Sequence, residues 1–243
     1  MLGSWTLEPW ALRFRGPSIF DLEEVRGLRV IIIGPAETVA EDLRDTAVDE
    51  YDVVVRLNNG LLLVEERPEI VGHRTDLLFH NLQEDGNRSA GTISAARLRE
   101  RGVRTVIYPH WRRTRPRGIY WRKLAEMRRH AGPPVKLMPL QSVNAMRHAI
   151  GGRTPTTGTS AVLFFLDSPA AELAIHGFTF FETVYVPGYN EAVRSKSDAR
   201  LWVVSRGTHD PSSEKAAIRA RLRLPHAPKV TLGRHVRRHL LGE

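Results

Sequence analysis

The 243-residue sequence contains no cysteine, which excludes structural disulfides and any thiolate-ligated metal site. It has no apolar run approaching the roughly 18 residues of a membrane-spanning helix. Its first twenty residues lack the basic start and apolar block of a secretory signal. A cytoplasmic protein is therefore expected, with peripheral attachment to the inner face of the membrane as a further option. Paired D-x-D carboxylates and His/Asp/Glu spacings of a metal cage are missing too, so metal-independent chemistry without a cofactor is expected. Acidic residues are in deficit, 27 against 36 lysines and arginines, for a formal net charge of +9. Such an excess implies an anionic partner: a nucleic acid, an acidic lipid surface or a phosphorylated substrate. Arginine carries most of the excess, and a GC-rich genome alone also enriches arginine. What is present is a 42% hydrophobic content, enough for a sizeable core. One domain over residues 27–243, after a lead-in of residues 1–26, is the expected organisation.

The lead-in carries Trp5, Trp10 and Phe14 interleaved with Arg13 and Arg15, and either packs back on the domain or touches a membrane surface. Residues 28–33 (L-R-V-I-I-I) read as a strand covered on both faces, ending in Gly34-Pro35-Ala36. Helical spacing over 37–46 and a second apolar strand over 51–57, closed by Asn58-Asn59-Gly60, complete a βαβ unit. The first turn lacks the three-glycine dinucleotide fingerprint, so an NAD site of that type is not supported. Further strands are expected at 76–79, 103–108, 135–138 and 230–232, and helices at 92–101, from about 120 to Pro133-Pro134, at 144–149 and over 207–221. Residues 183–200 read as a polar loop or lid, and 234–239 as a basic tail. Residues 154–181 organise the rest: a Thr/Gly turn, an apolar helix, a break at Ser168-Pro169 and a buried strand ending at His176-Gly177. This alternation predicts a Rossmann-like α/β fold with a mostly parallel sheet and helices on both faces.

In open sheets of this kind ligands sit beyond the carboxyl ends of the strands. Four polar turns end there: 34–36, Asn58-Asn59, 155–158 and 208–214. Thr156, Thr157 and Gly158, just ahead of a helix, present free N–H groups as an anion site, and the same residues cap a core helix. An unperturbed imidazole takes a proton near neutrality, which makes His209 the general-base candidate. Asp210 as N-cap ahead of Pro211, and Glu214 in the first helical turn, also make the segment a plain helix start. Asn58 is an amide able to read a base or sugar, or a turn-former before Gly60. His73, His80, His110 and His176 show no partner pattern. The segment 110–122, with Trp111, Arg112, Arg117, Tyr120 and Trp121, fits nucleic-acid phosphates and bases, and equally an acceptor or a membrane.

Taken together, these turns resemble the sialyltransferase motifs of glycosyltransferase family 29. The large motif is matched by residues 30–34, by Asp52-Val53-Val54-Val55-Arg56-Leu57-Asn58 and by Val71-Gly72-His73-Arg74-Thr75. The small motif is matched by Pro155-Thr156-Thr157-Gly158 and Gly177-Phe178, and the very small motif by Gly207-Thr208-His209-Asp210 and Glu214. The three stand in the family's order and span residues 30–214. The resemblance implies the sialyltransferase variant of the GT-A type and an inverting transfer of sialic acid from CMP-sialic acid to a hydroxyl of a glycan or glycolipid. It implies His209 as base, Thr156, Thr157 and Gly158 as a cradle for donor groups including the sialate carboxylate, and Asn58 as a nucleotide contact. Gly34, Pro35, Ala36 and Tyr189 join the donor-binding set, with Arg56, Arg74, Asp210 and Glu214 in support. Pro35 stands where the family usually has Asn, and Gly188-Tyr189-Asn190-Glu191 lacks the histidine of the motif that holds the donor phosphate. The cysteines that bridge the large and small motifs in animal enzymes are absent. CMP-Kdo or a similar acid is an alternative donor, and nucleic acid is not expected as a partner. The competing readings are a basic nucleic-acid-binding protein, and another Rossmann-like transferase such as a methyltransferase using residues 34–36 as its cofactor turn.

Overall fold

The computed structural model describes residues 18–84, 90–112, 114–190, 192–204 and 209–243. Trp5, Trp10 and Phe14 of the lead-in, and Gly207 and Thr208 of the very small motif, lie outside the described residues. The elements follow in chain order: β1 (Arg29–Ile33), α1 (Val39–Asp42), β2 (Val53–Leu57), α2 (Leu61–Glu66), α3 (Pro68–Val71), β3 (Leu77–Phe79), α4 (Ala95–Glu100), β4 (Thr105–Tyr108), α5 (Thr114–Arg129) and β5 (Val135–Leu137). They continue with α6 (Leu140–Ala149), α7 (Thr157–Leu166), β6 (Glu172–His176), α8 (Lys196–Val204), α9 (Pro211–Arg223), β7 (Lys229–Leu232) and α10 (Arg234–Leu241). The strands form one sheet in the order β5-β4-β3-β2-β1-β6-β7, and every neighbouring pair is parallel.

The continuous apolar strands follow from burial on both faces. Along β1, Val30 and Ile32 enter one core with α6, α7 and α9, while Ile31 and Ile33 enter another with α1, α2 and α3. A third core packs α4 and α5 on β3 and β4. The helix α7 is apolar all round because it is buried all round; Phe164 and Phe165 meet Phe79, and Phe164 meets Phe20 edge-on at 6.1 Å between ring centres. The described part of the lead-in therefore packs on the domain. Ile19 bridges in parallel to Leu137, and Phe20 is 1% exposed.

From β1 the chain moves to β2 on one side, and β6 returns on the other, so the topological switch lies between β1 and β6. At that point two glycines press together. A Cβ on Gly34 would lie 2.3 Å from the Gly177 carbonyl oxygen, and one on Gly177 would lie 2.4 Å from that of Gly34. Gly177 also sits at φ +71°, a conformation glycine adopts without steric cost. The Gly34 N–H donates to His176 O and the Ala36 N–H to Gly177 O, at 2.8 and 3.0 Å.

Several expected boundaries are corrected. The helix expected over 37–46 is only Val39–Asp42, because the Asp42 carboxylate is drawn in to accept the N–H groups of Gly177 (2.9 Å) and His235 (2.6 Å). Helix α5 starts at Thr114 rather than near Tyr120; Pro116 falls in its first turn, where a missing N–H costs nothing. Helix α6 starts at Leu140, directly after Pro139. The loop expected over 183–200 is partly ordered by pairing, with Ala36 bridged antiparallel to Tyr185, and its end is already in α8. The basic tail is α10, whose Val236 and Leu240 are buried. Short helices α2 and α3, between β2 and β3, were not among the expected elements.

Candidate active site

A cavity of about 430 Å³ opens beyond the carboxyl ends of the strands, at the switch point. Pro35, Ala36, Asn58, Thr156, Thr157, Gly158, Tyr189 and His209 all line it. Residues from three of the four polar turns and the histidine of the fourth thus converge on one crevice.

The N-terminus of α7 forms one wall. Thr156 is its N-cap, and its hydroxyl accepts the Thr159 N–H at 3.3 Å. Helix geometry gives the N–H groups of Thr157 and Gly158 no intrahelical acceptor, so they supply donors for an anion. Gly158 is required by packing: a Cβ there would meet the Phe178 ring at 2.9 Å and Leu57 at 3.3 Å.

Glu214 does not serve its own helix end, as expected, but that of α7. Its Oε1 accepts the Thr156 N–H at 3.1 Å, and its Oε2 accepts the hydroxyls of Thr156 and Thr159 at 2.6 and 2.5 Å. The side chain is 1% exposed, and this burial raises its pKa to about 7 against the opposing hydrogen bonds. Thr159, the third member of this cluster, carries no sequence signal beyond its place in the first turn. Asp210 is the N-cap of α9, accepting from the Ser212 and Ser213 N–H groups ahead of Pro211, as its sequence context indicates.

His209 precedes that cap. Its Nδ1 lies 2.7 Å from Thr154 O and 3.8 Å from Glu214 Oε1. A carbonyl only accepts, so Nδ1 carries the proton and the basic lone pair belongs to Nε2. A second imidazole, His110 from the end of β4, also lines the cavity, with Nε2 3.2 Å from Thr157 Oγ1. Burial, with the nearby His209 adding to it, lowers its pKa to about 3. The sequence gives His110 no partner; Thr157 is supplied by the fold.

The opposite wall is polar and aromatic. Asn58 leaves β2 at φ 47° and its Oδ1 accepts the Asn81 N–H at 3.0 Å. The Tyr189 hydroxyl donates to Leu57 O at 3.2 Å, and its ring lies against that of Tyr185, which also lines the cavity. Burial raises the pKa of both phenols, so both are hydrogen-bond donors at neutral pH. Phe180 and Phe181, at φ 53° and 65°, complete the rim; bulky residues in this region are strained and are typical of ligand sites. The next residue, Glu182, is clamped by Lys215 and His239 at 2.7 and 2.9 Å.

Arg56 and Arg74 are not cavity residues. Arg56 is fully buried, bonded to Val71 O, Gly72 O, Arg74 O and the Thr75 hydroxyl. Arg74 bonds to the carbonyls of Asp49, Tyr51 and Asp52 and to the Asp76 carboxylate, at the amino ends of β2 and β3. Both hold the large-motif loop together from outside the site. The aromatic-basic segment is divided. Tyr120 is core, stacked on Tyr108, the Trp111 ring N–H is bonded to Met138 O, and His110 and Arg112 line the cavity. Its rings therefore do not form a row for stacked bases. Among the described residues no group of three or more His, Asp or Glu converges as a metal site.

No protein-family model and no curated protein sequence matches the chain. Solved structures do. A mammalian sialyltransferase in complex with Gal-beta-1-3GalNAc-ortho-nitrophenol superposes with a TM-score of 0.55 at 17% identity, covering 88% of this chain and 72% of that one. The sialyltransferase CstII from Campylobacter jejuni, in complex with the substrate analogue CMP-3FNeuAc, gives 0.53 at 13% identity, over 88% and 84% of the two chains. The same enzyme with a trisaccharide acceptor and CMP gives 0.53 at 12% identity, over 88% and 83%. The seven-stranded parallel Rossmann-like architecture thus matches the fold of these sialyltransferase structures.

Proposed function

We propose that the protein is a glycosyltransferase moving sialic acid, or a related acidic sugar such as Kdo, from a CMP-activated donor to a hydroxyl of a glycan or glycolipid acceptor, with inversion and without a metal. One observation carries this reading: in a single cavity at the switch point, His209, its Nδ1 held by Thr154 O, lines the same crevice as the N-terminal residues Thr157 and Gly158 of α7. The fold agrees, since the superposed CstII structures hold CMP-3FNeuAc in one case and CMP with an acceptor in the other.

In this mechanism the sugar carboxylate lies on the Thr157 and Gly158 N–H groups. Asn58, Tyr189 and the backbone of residues 35–36 line the nucleotide side, with the protonated Tyr185 phenol as a donor to a phosphate oxygen. His209 Nε2 takes the acceptor hydroxyl proton as that oxygen bonds to the anomeric carbon. The bond from that carbon to the phosphate oxygen breaks on the opposite face, and CMP departs as an anion. Little else is asked of the protein than positioning and placement of positive potential. Calorimetric titration tests the reading: CMP is expected to bind, S-adenosylmethionine and NAD are not, and sugar transfer should survive EDTA. Binding of S-adenosylmethionine without CMP would replace this function by the methyltransferase alternative.

The charge excess fits a lipid-borne acceptor. Arg234, Arg237, Arg238 and Leu241 are exposed at i, i+3, i+4 and i+7 on α10, one helical face combining cations with an apolar end. In flotation, vesicles containing phosphatidylglycerol are expected to carry the protein and pure phosphatidylcholine vesicles are not. The double variant R237E/R238E should stay behind; its continued flotation would remove this face as the contact.

A further inference from the structure

The cavity holds a second histidine that the mechanism above leaves without a task. His110 is brought to the α7 N-terminus by β4, one strand beyond β3 on the side of the sheet away from β6. Its Nε2 lies 3.2 Å from the hydroxyl of Thr157, the first residue of α7 and 6% exposed. The ring stands edge-on to Tyr108, 6.4 Å between centres. The positive end of a helix and a buried site both disfavour a cationic imidazole, in keeping with its pKa of about 3. His110 is neutral at working pH, and its two tautomers have opposite consequences for Thr157.

With the proton on Nδ1, Nε2 accepts the Thr157 hydroxyl hydrogen, and the hydroxyl turns only lone pairs to the cavity. With the proton on Nε2, the ring donates to Oγ1, and the hydroxyl hydrogen is released toward whatever sits on the helix end. An anion there is repelled by the first arrangement and gains a donor from the second. We propose that His110, as its Nε2–H tautomer, donates to Thr157 Oγ1 and thereby aims that hydroxyl at the donor's carboxylate, making His110 a positioning residue for the acid group of the sugar. The inference rests on the glycosyltransferase reading for the identity of the anion, while the tautomer follows from any anion seated at this helix end beside the His110–Thr157 contact.

The experiment separates the two. CMP-sialic acid and CMP are titrated into the wild-type protein, His110→Ala, His110→Gln, Thr157→Val and the His110→Ala/Thr157→Val double variant. His110→Ala is expected to weaken CMP-sialic acid about tenfold, the scale of one hydrogen bond to a charged group, and to leave CMP unchanged. Glutamine, whose amide N–H takes the place of Nε2–H, should recover most of the loss. Thr157→Val should bind CMP-sialic acid as weakly as His110→Ala, and the double variant no more weakly than either single one, since both remove the same donor. Unchanged affinity in His110→Ala, an equal loss for CMP, or additive losses would overturn the proposal. The ring ¹⁵N shifts of His110, recorded with and without added acetate, give the tautomer independently of any nucleotide. An Nδ1–H ring in the presence of the anion sinks the positioning role even if CMP-sugars bind. Absence of all CMP binding, with an Nε2–H ring, sinks the donor assignment and leaves the positioning of an anion intact.

Discussion

Replacing His209 by asparagine is expected to lower the rate of sugar transfer by about 10²–10⁴-fold, the usual contribution of a positioned general base, with CMP affinity close to wild type. Asparagine is the informative choice because its side-chain N–H can take over the bond that Nδ1 makes to Thr154 O at 2.7 Å, which keeps the 154–158 turn in place. What asparagine lacks is the basic Nε2. The loss should therefore appear in kcat, with KM for the donor little changed. His209→Ala removes the Thr154 bond as well and should add a modest stability loss. Wild-type kcat in His209→Asn would dismiss His209 as the base and return the segment to a helix cap.

Glu214→Ala is expected to destabilise the fold by about 2–5 kcal/mol, because it strands the Thr156 N–H and the Thr159 hydroxyl, each costing about 1–3 kcal/mol when buried without a partner, while the Thr156 hydroxyl keeps Thr159 Oγ1 at 3.1 Å. The effect has a pH signature. Burial raises the carboxyl from its ordinary value of 4.5 to about 7, so the folded protein binds its proton more tightly than the unfolded chain does. Stability from this group is fully present below pH 4.5 and is lost as pH rises through about 7. Relative to Glu214→Gln, the wild type should lose roughly 3 kcal/mol between pH 4 and pH 8. Urea titrations of both proteins at these two values read the difference directly; parallel stabilities would show that Glu214 stays ionised in the fold.

Much of the architecture is legible in the chain because strands covered on both faces must be continuously apolar. Residues 28–33 and 51–57 announce themselves in this way, and the break at Ser168-Pro169 marks the end of α7. The site is legible where backbone geometry demands a residue type, as at Gly158 under Phe178 or Asp210 ahead of Pro211. It is obscure where the partner is distant in sequence. Nothing near Glu214 says that its carboxylate caps a different helix, nothing near His110 points to Thr157, and Tyr185 enters the cavity only because residues 184–186 pair back onto 35–37. Arg56 shows the converse. Its place in a motif suggests the site, yet a fully buried guanidinium on four protein acceptors is a brace for the loop around it. Helix α10 was hidden by its own charge, since a segment so basic conceals that Val236 and Leu240 face inward.

The strand order has a consequence for how the chain comes off the ribosome. The strand β1 is made first and lies centrally, but one of its two neighbours, β6, is synthesised only after β2 to β5 and α7. Until residues 172–176 emerge, the hydrogen-bonding edge of Val30–Ile33 has no partner. An open edge of uninterrupted valine and isoleucine is a ready template for pairing between chains. The nascent protein therefore passes through a long interval in which its most apolar strand is half covered. It leaves that interval when Gly177 settles against Gly34, the same contact that opens the crevice of the site. Pairing of β6 with β1 and the opening of the crevice thus share one contact, and Tyr185, Tyr189 and His209 complete the crevice only afterwards.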